Sequence, residues 1–306
     1  MQSMKKFAAF VITRDRVVHL AKTIEVLQQQ KLPPELILIV DNSEGLLTRK
    51  QFAERLSEGI LYHHTGYNAG PAGAAYTGMQ MLFEQGFEWV MWVDDDDPPY
   101  FDELTASLFE IVDNCGVSDL GMVGAVGERF IRSRARLIRY KDNELKGYLP
   151  ADTISGNMFP LVNRRVYEAG ILPDPRLFFG FEELDFGLSL KRKGFQIMVS
   201  GELIRKQREY AGRIGIVKPF YKRKRRSDLW REYYGLRNLI QILLKKEKSV
   251  VGFIYLLVRA IIKSFYGFRF GFSYGFMNLD FLWAGMADGI MGRNGMTVIP
   301  VKKKLV

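Results

Sequence analysis

The chain has 306 residues, enough for one large domain or two smaller ones, and 47% hydrophobic with 25% charged residues excludes global disorder. Cys115 is the only cysteine, which excludes an intrachain disulfide and a Cys-based zinc site and suits a reducing compartment. The net charge of +10 is concentrated in residues 129–146 and 218–231, basic stretches of the kind that meet phosphates, anionic lipid or nucleic acid. The first ten residues hold two lysines and a short apolar run that continues into a strand pattern, so they do not read as a signal peptide, and no internal repeat is visible.

Residues 7–12 form an uninterrupted apolar run that predicts a buried first strand, with Thr13, Arg14, Asp15 and Arg16 as its polar end. Leu20, Ile24 and Leu27 recur at helical spacing, and Pro33-Pro34 closes that helix. Residues 36–40 predict a second buried strand ending in Asp41-Asn42-Ser43. This strand–helix–strand order implies a parallel unit whose polar loops gather at the strands' C-terminal edge, where open α/β sheets bind ligands. Residues 66–75 are small and glycine-rich, with Asn68, Gly70 and Gly73, and lead into a helical pattern. They suit either a cradle for a phosphate or a plain helix start; the spacing is neither Gly-x-Gly-x-x-Gly nor a P-loop.

Trp89-Val90-Met91-Trp92-Val93 then stops in Asp94-Asp95-Asp96-Asp97, followed by two prolines. The apolar run predicts a third strand. Four adjacent carboxylates repel one another in water, and a divalent cation or a cationic partner relieves them; a solvated acidic turn is the plainer alternative. Thr13, Asp41 and residues 94–97 are then expected along one sheet edge. Further patterns predict a helix at 102–112, a strand at 121–126, a basic hairpin at 129–146, a strand at 155–162 after a small-residue turn, and a short helix from Arg164. Pro173, Pro175 and an aromatic wall precede Glu182, Glu183 and Asp185, which open a helix ending near Gly194. Carboxylates in a first helical turn also suit the helix dipole alone.

These motifs, in this order, resemble family 2 glycosyltransferases of the GT-A fold. They are most similar to bacterial rhamnosyl- and galactofuranosyl-transferase-like members that build cell-surface polysaccharides such as O-antigen and lipopolysaccharide. The resemblance covers residues 7–210 and rests on Val40-Asp41-Asn42-Ser43, Asn68-Ala69-Gly70-Pro71-Ala72-Gly73, Asp94-Asp95-Asp96 and Phe178-Phe179-Gly180-Phe181-Glu182-Glu183-Leu184-Asp185-Phe186. The glycine-rich run from Trp283 to Arg293 and the pair Arg237-Asn238 also resemble this subgroup.

The resemblance implies an α/β fold, GT-A, with a Rossmann-like, mostly parallel central sheet flanked by helices and a C-terminal helical extension. Residues 1–215 are expected to be catalytic, and 216–306 a basic, aromatic region for membrane association or oligomerisation. It implies a nucleotide-sugar donor, UDP- or dTDP-linked, held by Thr13, Arg14, Asp41, Asn68, Gly70, Gly73, Asp94 and Asp95. It implies Mn²⁺ or Mg²⁺ at Asp96 and Asp94, with Asp97 and Gln207 as further candidates, and Glu183 as general base, with Glu182 or Asp185 as substitutes. Gln207 stands where many relatives carry a histidine that completes the metal shell, while His19, His63 and His64 all lie upstream.

The expected acceptor is a glycan or lipid-linked glycan, with no nucleic acid partner, on the cytoplasmic face of the cell membrane. Residues 250–262 are apolar apart from Arg259, and Lys263 follows, so the run reads as too short to span a bilayer. The aromatics of residues 265–276, set among Gly, Arg and Ser, suit an interfacial helix pair; packing on the catalytic domain or in a homo-oligomer is the alternative. A sugar nucleotidyltransferase would use the same sheet edge but needs a glycine-rich basic loop that residues 10–16 lack. A non-catalytic sugar-nucleotide- or lipid-binding subunit is the third option, which intact Asp96 and Glu183 disfavour.

Overall fold

A computed structural model describes residues 6–53, 59–212 and 223–299. Residues 218–222 of the second basic stretch lie outside the described residues. The chain divides into two compact units, Met1–Arg129 with Arg139–Pro175 and Glu183–Gly215, and Phe130–Ile138 with Arg176–Glu182 and Ile216–Val306.

The first unit is built on strands β1 (Phe7–Thr13), β2 (Leu36–Asp41), β3 (Ile60–His64), β4 (Trp89–Asp94), β5 (Leu120–Gly124), β8 (Tyr148–Pro150), β10 (Leu161–Asn163) and β11 (Gln196–Ser200). They form one sheet in the order β3-β2-β1-β4-β10-β5-β11-β8. Neighbours are parallel except around β10 and between β11 and β8, so the sheet is mostly parallel. A smaller sheet pairs β6 (Gly127–Ile131) with β7 (Arg136–Arg139) and β9 (Thr153–Ile154).

Strand alternation sorts the core into two layers. Phe7, Ala9, Val11, Ile37, Ile39, Met91 and Val93 face one side, where α1 (Val17–Gln28) brings Leu20, Ile24 and Leu27, and α4 (Leu104–Asn114) brings Leu104 and Leu108. Ala8, Phe10, Leu38, Val40, Val90 and Trp92 face the other, against α3 (Gly70–Glu84) and α6 (Glu182–Arg192). Both faces of β1, β2 and β4 are covered, which is why these strands read as continuous apolar runs rather than as alternation. The remaining helices of this unit are α2 (Leu47–Phe52), α5 (Arg164–Glu168) and α7 (Gly201–Tyr210).

One strand departs from the sequence expectation: the Asp run closes the fourth strand, not the third. β3 escapes because it lies at the sheet edge and carries His63 and His64 in place of an apolar run. The strand expected at 155–162 is shorter, Leu161–Asn163, and a helical turn at Gly156–Met158 precedes it.

The second unit contains α8 (Trp230–Gln241), α9 (Val250–Tyr266) and α10 (Phe272–Met291). Phe178, Trp230, Tyr233 and Tyr234 form its aromatic core. The expectation that the apolar run ends at Lys263 is corrected here. The helical stretch runs on through Phe270, giving 21 residues that contain an 18-residue window of mean hydropathy 1.6, long and apolar enough by length and composition to cross a membrane. Lys263 does not break it, because its ammonium is paired with Glu232 of α8.

Candidate active site

The polar ends of β1, β2 and β4 meet at the C-terminal edge of the sheet. Thr13 is in register with Asp41, and Ile12 with Asp94. β1 is flanked by β2 on one side and β4 on the other, with α1 and α3 on opposite faces, so this edge is a topological switch point of the kind that binds nucleotides.

Asp41 is fully buried. Its Oδ1 accepts from the Ser43 amide at 2.9 Å and the Ser43 hydroxyl at 2.5 Å, and its Oδ2 from the Tyr62 hydroxyl of β3. The carboxylate thus fixes the turn that leaves β2. Asn68 and Gly70 lie at the start of α3, where Asn68 Oδ1 accepts from the Gly70 amide at 3.2 Å and Asn42 Nδ2 donates to the Gly70 carbonyl at 2.9 Å. Gly73 follows in the first turn of the same helix. Arg14 reaches Glu44, 3.4 Å away, rather than the Asp run.

The four aspartates have four different environments. Asp95 turns inward: its carboxylate accepts from Thr13 Oγ1 at 2.7 Å and Arg16 Nη1 at 3.0 Å, and its carbonyl from Thr23 Oγ1 at 2.7 Å. Asp96 accepts from the same Arg16 guanidinium and is more open. Asp97 accepts from Asn157 Nδ2 at 2.7 Å. Asp94 sits at the strand end under the Gly156 turn. A Cβ at position 156 would lie 2.8 Å from Trp92 Nε1 and 3.0 Å from Asp94 Oδ1, so only glycine lets the turn cross here. The Gly156 amide donates to Glu183 Oε1 at 3.2 Å. Asp94, Asp97, Gly156, Asn157 and Glu183 are therefore one cluster, although they come from three separate stretches of chain. Glu182 and Asp185 are also in the first turn of α6 but are buried.

The electrostatics follow from that crowding. Burial, then the charges of Glu183, Asp95, Asp96 and Asp97, push the Asp94 carboxyl up to about 8. Burial raises Glu183 as well, partly offset by its own backbone N–H and that of Gly156. Asp95 is raised by burial in spite of the opposing bonds from Thr13 and Arg16. Excess negative charge held in a partly dry, all-oxygen setting fits a hard divalent cation. Among the described residues no three His, Cys, Asp or Glu side chains form a ready-made metal cage. A cation here would thus lean on two carboxylates and the ligand's own oxygens. Gln207 is buried on α7, and its Nε2 has no hydrogen-bond partner. α7 lies beside the chain that follows the Asp run, with Lys206 bonded to Glu103 at 3.2 Å and Tyr210 packed on Phe101.

Sequence reasoning missed Arg16, Gly156 and Asn157. Arg16 was visible as a cation one turn past β1, but its reach to residues 95 and 96 needs the β1–β4 pairing. Gly156 and Asn157 carry no motif. Within the second unit the pair Arg237-Asn238, already noted in the sequence, forms a clamp: Arg237 Nη2 donates to the Leu177 carbonyl at 2.8 Å, and Asn238 Nδ2 to the carbonyls of Leu177, Phe179 and Gly180 at 2.8–2.9 Å. It holds a loop in which Phe178 and Phe181 adopt positive φ of 62° and 64°, strain stored immediately before Glu183.

The profile of glycosyl transferase family 2 matches residues 9–169. The chain belongs to this family and has the GT-A architecture. It is 26% identical over 197 residues to the galactofuranosyltransferase GlfT1 of Mycobacterium tuberculosis, covering 61% of this chain and 64% of that relative's length. Among solved structures, the mannosyltransferase PcManGT of Pyrobaculum calidifontis, in complex with GDP-Man and Mn²⁺, superposes with a TM-score of 0.54 at 11% identity, covering 94% of this chain and 87% of that one. GalNAc-T7 with UDP, GalNAc and Mn²⁺ superposes with a TM-score of 0.55 at 10% identity, covering 95% and 57%.

Proposed function

We propose that this glycosyltransferase moves a sugar of the galactofuranose, galactose or rhamnose type from a UDP- or dTDP-sugar to a hydroxyl of a lipid-linked surface glycan, with inversion at the anomeric carbon. The observation that carries the reading is the meeting of Asp94–Asp97 and Glu183 around the Gly156 turn. The galactofuranosyltransferase relative supports the sugar class. The two solved neighbours, each with Mn²⁺ beside a nucleotide or nucleotide sugar, support a metal-dependent donor site.

In this reading Thr13, Asp41, Asn68, Gly70 and Gly73 form the nucleotide edge, with Asp94 and Asp95 between base and sugar. Arg14 is the outer cation of that edge. Asp96 and Asp94 would hold Mn²⁺ or Mg²⁺, with Asp97 and Gln207 as further oxygen donors. When bound, the cation supplies Lewis-acid stabilisation of the charge that grows on the departing diphosphate. Glu183 takes the proton of the acceptor hydroxyl as its oxygen attacks the anomeric carbon. The carbon–oxygen bond to the diphosphate breaks in the same displacement. Arg16 neutralises Asp95 and Asp96, which keeps the edge folded against its own repulsion. The enzyme works peripherally on the inner face of the cell membrane, where a lipid-linked acceptor is presented.

The test is a panel of sugar nucleotides assayed for binding, hydrolysis and transfer, with and without Mn²⁺, on wild type and Asp96→Ala. The reading expects cation-dependent binding of one donor class, lost in the variant together with transfer. Donor binding that ignores both Mn²⁺ and the Asp96 substitution would remove the metal role.

A further inference from the structure

Helix α9 is inside out, and α10 exposes large apolar side chains beside it in sequence. On α9 the residues packed into the unit are Gly252, Leu256, Ala260 and Ser264, a mostly small stripe at four-residue spacing. Packing there is close, since a Cβ on Gly252 would fall 2.0 Å from the Arg132 carbonyl oxygen. The opposite stripe, Val251, Ile254, Val258, Ile261, Ile262 and Phe265, repeats at intervals of three and four, holds no charge, and is 41–66% exposed. α10 buries Tyr274 and Leu282 along with Gly275, Asn278, Gly285, Asp288 and Gly289, yet leaves Phe272, Phe276, Trp283, Ile290 and Met291 exposed, with Asp280 exposed among them. A helix on a water-soluble protein turns its apolar stripe inward. α9 turns its stripe outward and α10 adds large exposed apolar side chains, surface that water does not favour.

We propose that the exposed face of the α9–α10 hairpin docks in the plane of an anionic lipid bilayer. This rests on the peripheral-membrane reading above and assigns that contact to named residues. Three features select lipid over other occupants. First, cations bracket the apolar stripe. Lys245, Lys246 and Lys248 precede α9, with Lys245 beside Gly292 at the far end of α10, and exposed Arg269 lies in the turn between the helices. Basic residues around an apolar face suit anionic headgroups over an acyl layer. Second, the same charges disfavour a second copy. A two-fold pairing of this face sets the lysine cluster against itself or against Arg269, and either arrangement opposes like charges. Third, the helix lies along the surface instead of crossing it. Its two internal cations turn back into the unit, Lys263 to Glu232 and Arg259 to the Ala135 carbonyl at 3.2 Å, which fixes one flank of α9 to protein.

The full chain is sedimented with vesicles of phosphatidylcholine alone and of phosphatidylcholine mixed with phosphatidylglycerol. Wild type is expected to bind the anionic vesicles, and less so when salt rises from about 0.1 to 1 M and the screening length falls from about 10 to 3 Å. A triple substitution of exposed residues, Ile254→Ser, Val258→Ser and Ile261→Ser, is expected to weaken binding at least about tenfold. Replacing Lys245, Lys246 and Lys248 by Gln is expected to abolish the preference for anionic vesicles. Circular dichroism and donor hydrolysis in solution, both unchanged, show that the variants are folded. Vesicle binding that survives the triple substitution overturns the assignment of the face. A wild-type dimer that the triple substitution dissociates, with no vesicle binding, overturns it in favour of a second copy. Hydrolysis is scored separately, so a chain that docks through this face but turns over no donor defeats the catalytic reading alone.

Discussion

At the C-terminal edge of the large sheet, apolar side chains fill both layers and charge gathers at the strand ends, where Asp94, Asp96, Asp97 and Glu183 stand with Arg16 among them. In α9 the order is reversed, with a mostly small stripe inside and aliphatic residues in solvent, and α10 leaves further aromatic and aliphatic side chains exposed. Each region is incomplete in water in the opposite sense. The edge carries more negative charge than its burial favours, which a cation and a diphosphate ligand would balance. The hairpin carries more apolar surface than water favours, which lipid would cover. The two demands are chemically independent, so changes in one should leave the other intact.

The largest expected effect tests that independence. Glu183→Gln keeps size and hydrogen-bonding shape but cannot accept a proton at pH 7. It should lower transfer by about 10²–10⁴-fold with donor affinity preserved and vesicle binding unchanged. Near-normal transfer would move the base to Glu182 or Asp185. A parallel loss of vesicle binding would mean that the edge and the hairpin are coupled.

Asn238→Ala should follow. Its amide serves three carbonyls of the loop that leads into Glu183; Leu177 keeps the bond from Arg237, and the loss at Phe179 and Gly180 costs about 1–3 kcal/mol. The expected signature is a lower kcat with little change in KM, because the loop runs in sequence directly into Glu183. A change in KM alone would show that the clamp serves donor binding.

The rising limb of the pH–rate profile should lie at higher pH than that of an exposed carboxylate. Burial raises Glu183 above its ordinary value, so kcat/KM should climb with pH through that raised value as the base deprotonates. Glu183→Gln should flatten that limb. A limb that persists in the variant would belong to another group.

What the sequence disclosed and what it hid divide along the same line. β1, β2 and β4 were legible because each is buried on both faces, and a continuous apolar run ending in Asp or Thr marks strand and edge together. The convergence of Asp94 with Glu183 was legible only through family resemblance, since they lie 89 positions apart and the Gly156 turn that joins them has no motif. β3 was hidden because an edge strand with His63 and His64 lacks the apolar signal. The run from Val250 looked too short because Lys263 was counted as a stop, when its charge is met within the fold. Apolar periodicity reports that a helix has two faces, but not which one packs. The inversion of α9 became visible only when Gly252, and not Ile254, proved to be the buried side.

The smallest expected effect concerns stability, and its sign is fixed by Asp94. The folded state holds this carboxyl's proton up to about pH 8, whereas the unfolded chain releases it in the ordinary carboxylate range. Between those limits the folded state binds more protons, so this group's contribution to stability is full at low pH and is lost as pH rises through about 8. A bound divalent cation would replace the lost proton. Without divalent cations, Tm should therefore drift down by a few degrees between about pH 6 and 8, and Mn²⁺ should restore more at pH 8 than at pH 6. Asp94→Asn should remove both the drift and most of the Mn²⁺ response. The triple substitution on α9 should alter neither, because it replaces only uncharged side chains. A Tm that rises steadily across this range and ignores Mn²⁺ would mean that the crowded carboxylates are already balanced by Arg16, and the edge would then resemble the hairpin less than proposed.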